Sequence, residues 1–437
     1  MEWQQLLTTQ RTGKAIVDTK HERTEFQRDF DRIIFSTPFR RLQDKTQVFP
    51  LPGSTFVHNR LTHSIEVSCV GRSLGNEVAA RLVQMGELPA EYLTDLSAIV
   101  SAACLAHDLG NPPFGHSGER AISHYFSSAD GSALTERMTE AERSDLVNFD
   151  GNANSFRLLT HKFAGRRNGG FALTFPTVAS IVKYPRPSAG VRKFGYFCQD
   201  RDDFRRIMDH LGVRCLDAER CVYSRFPLVY LVEAADDICY QVMDIEDAHK
   251  LGIVSYEKTY ELFTSFFDPE AESHEFEIMR RAFDEVTDAN EQIAYLRARV
   301  IGKLVKLCAD AFVDNRRAIM DGCFERSLAE HLPPFERRAL ESVSRLAATL
   351  IYRHRSVSEI ELSGFRIIGT LLHEFISAAE HPDRYYSQLI RAFVPQQFAT
   401  PQGASTYDRA MAAVDLVAGM TDVYALDLYK KIKGIGL

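Results

Sequence analysis

The stretch HDLGNPPFGHSGE, His107 to Glu119, sets two histidines, an aspartate and a glutamate around a Gly/Pro-rich turn. Histidine and carboxylate side chains ligate metals and move protons near neutral pH. A surface loop has no need of such a concentration, and a packed core disfavours it. His63 upstream and the paired Asp236 and Asp237 in EAADD downstream carry the same chemistry. Imidazole suits first-row metals and carboxylate suits harder cations. His63, His107, Asp108 and one of the two aspartates could therefore make a hard-leaning divalent site. Taken singly, each has a plainer reading. A lone histidine is more often a satisfied core or surface residue, His-Asp pairs arise by chance, and Asp236 and Asp237 could line a solvated helix face.

Such a site requires rigid elements that bring distant segments together, and the chain supplies helices. Val67, Val70, Leu74, Val78 and Leu82 recur at steps of three and four, and His63 extends that stripe by one turn. Leu96, Val100 and Ala103 form a second stripe that ends at His107. Pro227 to Gly252 begins with proline and ends with glycine, which predicts one long helix carrying Asp236 and Asp237. Glu341 to Tyr352, Gly364 to Ala379 and Asp408 to Lys433 also have helical spacing. Residues 127 to 170 are polar and read as loops with short helices. GGFALTF, Gly169 to Phe175, is the best strand candidate, at most a short hairpin. The expected fold is all-α.

Composition narrows the function classes. The 437 residues are 45% apolar and 25% charged, enough to bury a large core, and no linker divides them. A single unit over 1–437 is expected, with a metal-site core over 55–250 and a helical C-terminal region over 251–437. The eight cysteines are scattered without a CxxC pair, which fits reduced thiols in a cytoplasm. No apolar run has the length of a spanning helix, and the first residues lack a signal-peptide core, so no membrane partner is expected. A formal charge of −7 leaves no broad basic footprint, so any bound anion needs a local cationic cluster. Arg32, Arg40, Arg41, Lys45 and Arg60 form one such stretch; ion pairs with Asp29, Asp31 and Asp44 are the alternative.

The ordered set His63, His107-Asp108 and Asp236 matches the H…HD…D signature of HD-domain metal-dependent phosphohydrolases. More narrowly, the chain resembles the deoxyguanosine triphosphate triphosphohydrolases of that superfamily. Six blocks carry the resemblance: RTEFQRDFDRIIFSTPFRRLQDKTQVFP, HNRLTHSIEV, ACLAHDLGNPPFGHSGE, FDGNANSFRLLT, EAADDICYQVMDIEDA and AGMTDVYA. The resemblance implies an HD-domain helical core with a helical C-terminal extension. It implies His63, His107, Asp108 and Asp236 as ligands of Mg2+, Mn2+ or another first-row metal. Asp236 is preferred to Asp237 because Asp236, Tyr240 and Asp244 repeat the family's four-residue spacing. The resemblance further implies that Tyr240 packs on the nucleoside and that Asp244 and Gln47 share the sugar 3′-hydroxyl. It directs Arg60 at the phosphates and makes Lys183 and Tyr184 a phosphate and a sugar contact.

His116 and Glu119 fall on the family's catalytic pair. In-line attack on phosphorus needs a positioned water, neutralised phosphate oxygens and a proton for the leaving oxygen. Histidine carries such a proton, and a carboxylate three residues along a helical turn can orient its ring. A favourable charge at a helix N-terminus is the plainer reading of Glu119. The implied activity is hydrolysis of a deoxynucleoside triphosphate (dNTP) at its α-phosphate, giving deoxynucleoside and inorganic triphosphate. The implied partners are a dNTP substrate, a dNTP effector, single-stranded DNA and further copies of the chain in a hexamer or tetramer. Two other classes stay open: an HD nucleotidase or cyclic-nucleotide or alarmone phosphodiesterase, and a dNTP-sensing or DNA-binding protein with residual activity.

Overall fold

The computed structural model describes residues 1–13, 23–49 and 57–436. The expected start of the metal-site core at residue 55 lies outside them, as does Pro50 at the end of the first block. The described chain is helical, as its spacing predicts. Helix α1 (Glu25–Ile34) opens with a capping box between Thr24 and Gln27. The long α2 (Arg60–Gln84) opens with another, in which the Asn59 side chain accepts from Thr62 N and Thr62 reaches back to Asn59. It buries His63, Val67, Val70, Leu74, Val78 and Leu82 on one side. The second stripe is α3 (Leu93–Ala106), buried almost all round, and His107 caps its C-terminus. The two helices approach closely because α2 carries glycine at the crossing: a Cβ on Gly71 would lie 2.4 Å from Cys104 Sγ.

The Gly/Pro-rich turn after His107-Asp108 leads into α4 (Gly115–Ser127). Short helices follow within the polar stretch, among them α5 (Gly151–Thr160), capped by the Asp150 side chain. Pro227 to Gly252 yields α6 (Val229–Lys250), which packs on α2 and on α7 (Ala289–Asp314). The Glu341–Tyr352 run does not stay regular. The helix over Pro334–Leu346 widens into a π turn at Ala347–Ile351, which ends at Tyr352. Next comes α8 (Arg355–Glu380). The expected Asp408–Lys433 helix is two, α9 (Thr406–Ala418) and α10 (Asp422–Lys433), because Thr421 caps a new start by accepting from Tyr424 N.

GGFALTF is not a strand. Gly169, Gly170 and Ala172 have φ of 78°, 56° and 52°, outside the extended region, so the segment turns and only Thr174 forms a bridge, to Arg11. Among the described residues the only sheet pairs β1 (Cys215–Asp217) antiparallel with β2 (Val222–Tyr223).

Buried apolar side chains form two clusters. One gathers α2, α3, α6 and α7; the other joins Ile122 and Phe126 of α4 to Ile368, Leu371 and Phe375 of α8 and to Met411 and Val414 of α9. Both clusters draw residues from either side of position 250. Helix α4 is thus packed against the C-terminal region, and α2, α3 and α6 meet in the other interior.

Candidate metal centre and active-site cleft

Three helices meet where the sequence places its metal-binding groups. His63 is in the first turn of α2, His107 and Asp108 follow the last turn of α3, and Asp236 lies inside α6. The Asp236 Oδ1 is 3.1 Å from His63 Nε2 and 3.4 Å from His107 Nε2, and Asp108 Oδ1 is 3.5 Å from His107 Nε2. One atom each from His63, His107 and Asp108 fits within a 4.8 Å cluster. His107 Nδ1 donates to Cys104 O at 2.7 Å, which fixes the ring with Nε2 directed at the carboxylates. That Nε2 is buried and lacks a hydrogen bond of good geometry, although carboxylate oxygens stand 3.4 and 3.5 Å away. Asp108 is held on both oxygens, by Arg60 Nη1 and by Asn111 Nδ2, each at 2.5 Å.

The electrostatics describe a place made for positive charge. Burial opposes protonation of His107, but the Asp108 and Asp236 carboxylates outweigh it and raise the ring to about 9. Burial also works to raise both carboxyls. Arg60 and His107 overcome it at Asp108, and His107 and His63 overcome it at Asp236, so both stay below the ordinary carboxylate range. Asp237 differs. Burial pushes it up to about 7, and its attractive neighbour is Lys183. The donor set and the unpartnered imidazole nitrogen fit a divalent ion bound by His63, His107, Asp108 and Asp236.

The turn after Asp108 is tightly constrained. A Cβ on Gly110 would lie 2.1 Å from Ser155 N. Phe114 and Gly115 have φ of 62° and 57°, and the strained Phe114 is held by Asp422 Oδ1, which accepts from its N–H at 2.9 Å. The other Asp422 oxygen accepts from Thr46 N at 2.9 Å, so the AGMTDVYA block anchors two walls of the site. His116 and Glu119 follow in the first turns of α4. His116 Nδ1 is 2.9 Å from Glu119 Oε2, and Glu119 Oε1 accepts from Gly151 N at 2.7 Å. Burial works to raise the Glu119 carboxyl, but His116, Lys193 and the Gly151 N–H overcome it and hold Glu119 ionised.

These groups open on one cleft of about 500 Å³, whose lining includes Gln47, Arg60, Asp108, His116, Lys183, Tyr184, Asp236 and Tyr240. Gln47 Oε1 is buried with no hydrogen-bond partner. Lys183 lines the cleft but pairs with Glu233 at 3.0 Å. Asp244 is buried behind the wall, where desolvation pushes its carboxyl up to about 7. Its partner is Tyr352, a residue the sequence did not single out. The Tyr352 hydroxyl donates to Asp244 Oδ2 at 2.7 Å, and its ring stacks on Tyr240 at 5.8 Å and 19°. Lys193 and Asn111 also line the cleft unforeseen, Asn111 although it stands inside the quoted motif. Of the N-terminal basic stretch only Arg60 reaches this cleft; Arg32, Arg41 and Lys45 line a different cavity. Asp29 is paired directly with Arg11 and Asp31 with Arg23, although Asp29 still attracts the Arg32 guanidinium.

Family models match two parts of the chain: the HD domain over residues 60–150 and the phosphohydrolase-associated domain over residues 331–431. Whole-chain relatives agree. A deoxyguanosinetriphosphate triphosphohydrolase-like protein of Synechocystis is 37% identical over all of both chains, and one of Pseudomonas aeruginosa is 36% identical over 99% of each. A deoxyguanosinetriphosphate triphosphohydrolase of Cronobacter sakazakii is 34% identical over 96% of each.

Proposed function

The chain belongs to the deoxyguanosine triphosphate triphosphohydrolase family of HD-domain hydrolases, and from that membership we propose that it hydrolyses dNTPs at the α-phosphate with a divalent metal, releasing deoxynucleoside and inorganic triphosphate. The observation that carries this reading is the convergence of His63, His107, Asp108 and Asp236 beside a cleft into which the His116–Glu119 pair also opens. When bound by those four residues, Mg2+ or Mn2+ supplies positive charge beside the phosphate oxygens. Arg60, fixed by Asp108, and Lys183 add cationic donors for the same oxygens. Glu119 orients His116 through Nδ1, which leaves Nε2 to handle the proton exchanged between water and the 5′-oxygen. Tyr240 offers a face to the nucleoside, and Gln47 Oε1, buried without a partner, is available to the sugar hydroxyl.

Turnover is expected with at least one of the four dNTPs, tested singly and mixed with Mg2+ or Mn2+, and none is expected in EDTA. Triphosphate is quantified by ion-exchange chromatography, and its absence under every condition would overturn the proposal. A subtler expectation comes from Gly151. A Cβ there would lie 2.1 Å from Asn111 Oδ1 and 2.6 Å from Glu119 Oε1. Alanine suits a helical position better than glycine, so Gly151→Ala should keep the fold while displacing Glu119 and the Asn111 side chain that holds Asp108. We expect kcat to fall by about 100-fold with a melting temperature near that of the parent. A parental kcat would show that the placement of neither Glu119 nor Asn111 matters, and bound metal measured beside it separates the two, since only Asn111 holds Asp108.

A further inference from the structure

Lys183 reaches the cleft from the turn after the short helix Phe175–Ser180, whereas Asp236 and Tyr240 stand on α6. A lysine ammonium rides on a flexible four-carbon stem, so its place in a site depends on a partner. Glu233, one turn before Asp236 on α6, is that partner: its Oε1 lies 3.0 Å from Lys183 Nζ. The Glu233 side chain is 8% exposed against 31% for Lys183, which sets the carboxylate behind the wall and the ammonium at it. The second oxygen, Oε2, accepts from Arg225 Nη2. Arg225 is fixed in turn, with its guanidinium 4.2 Å from the centre of the Tyr230 ring and the Tyr230 hydroxyl donating to Phe324 O. Tyr230 and Glu233 are three residues apart on α6, so the whole chain of contacts is referred to the helix that carries Asp236 and Tyr240.

Two cations share the one Glu233 carboxylate, so the group keeps positive charge for an anion in the cleft. Burial works to lower the Lys183 ammonium, but the Glu233 carboxylate overcomes it and holds Lys183 above the ordinary lysine range. Asp237 is the competing partner. It lies four residues along α6 from Glu233, lines the same cleft and also attracts Lys183. An ammonium released from Glu233 would be drawn to Asp237, beside the metal ligand Asp236, instead of standing ready for a phosphate. We propose that Glu233 is a positioning residue: braced from behind by Arg225, it holds the Lys183 ammonium at the cleft wall and off Asp237, where a substrate phosphate meets it. The identity of that phosphate rests on the proposed function; the chain of ion pairs stands without it.

The test is a double-mutant cycle, read by calorimetric titration of the full chain with inorganic triphosphate in the presence of Mg2+. Triphosphate is the expected product, so its binding is read without dNTP turnover. Lys183→Ala is expected to weaken one binding event by at least about tenfold. Glu233→Asp keeps the charge but withdraws the carboxylate by one methylene, and should weaken the same event by about three- to tenfold. In the Lys183→Ala background Glu233→Asp should change nothing further, because its effect travels through the ammonium. Arg225→Lys keeps a charge behind Glu233 without the stacked guanidinium fork, and should give a smaller loss with the same dependence on Lys183. That variant reads the coupling even if Glu233→Asp does not fold. Parental affinity in Glu233→Asp or in Lys183→Ala overturns the proposal. So does an equal further loss in the Lys183→Ala background, which would mean that Glu233 acts through the fold alone. Turnover separates the two readings. A chain that hydrolyses dNTPs without this coupling refutes the positioning role alone, and one that shows the coupling but releases no triphosphate refutes the proposed function alone.

Discussion

Asp108→Ala is expected to lose bound divalent metal and turnover together, whereas His116→Ala loses turnover and keeps the metal. The difference follows from what each side chain touches. Asp108 faces the His107 ring and is held on its two oxygens by Arg60 and Asn111. Its removal deletes a candidate ligand and frees the guanidinium meant for phosphate. Positioning partners of a metal ligand alone typically alter metal affinity by about 10- to 100-fold, so loss of the ligand should exceed that. His116 is 71% exposed and contacts Glu119, not the His63–His107–Asp236 cluster. Its truncation leaves no buried void, and losing a general acid–base group costs about 100- to 10,000-fold in rate. Metal content by plasma mass spectrometry beside initial rates checks both variants. Equal metal loss in the two would collapse the separation of ligand from proton carrier.

Arg157→Leu should have the largest effect on stability. Arg157 of α5 is 3% exposed and binds Asp415 of α9 through Nε and Nη2 at 2.8 Å, with Asp200 at 3.3 Å on Nη1. It therefore ties the segment behind the metal-site turn to the C-terminal helices. Leucine would leave the buried Asp415 carboxylate without its partner and Asp200 with His161 alone, a loss of about 3–5 kcal/mol in chemical denaturation. The pH dependence has a definite sign. Burial works to raise Asp200, but Arg157 and His161 outweigh it, so its folded pKa lies below the unfolded value near 3.8. That stabilisation is complete above the unfolded value and is lost as pH falls through the lowered folded one. In Arg157→Leu only His161 opposes the burial of Asp200, which favours its protonated form, so the deficit against the parent should shrink toward acid pH. A deficit under about 1 kcal/mol at pH 7 would show that Arg157 does not tie the regions together.

Helical geometry placed the candidate ligands on rigid elements, and the resemblance to the H…HD…D signature is what joined them into one set and chose Asp236 over Asp237. His63 continues the Val67–Leu82 stripe, His107 ends the Leu96–Ala103 stripe, and steps of four set Asp236 and Tyr240 on one side of α6. His116 and Glu119 were singled out by the resemblance, and the helix that begins at Gly115 accounts for their meeting three residues apart. Tyr352 was not, because its link to Asp244 spans 108 residues and depends on a π turn that no periodicity marks. The destination of Arg41 and Lys45 was also hidden. They lie fewer than 20 residues from Arg60 in sequence, but they follow short turns that carry them behind the Asn111 loop instead of into the cleft. The misread GGFALTF segment failed because apolar alternation does not report φ, and its backbone is left-handed at Ala172 as well as at the glycines.

In the proposed reaction water attacks the α-phosphorus: the water oxygen bonds to phosphorus, the P–O5′ bond breaks, and the 5′-oxygen takes up a proton. Turnover of a dNTP in 18O-water, followed by mass spectrometry of the products, tests this most directly. The expected result is one 18O atom in each inorganic triphosphate and none in the deoxynucleoside. Label in the deoxynucleoside, or release of pyrophosphate with a deoxynucleoside monophosphate, would contradict it.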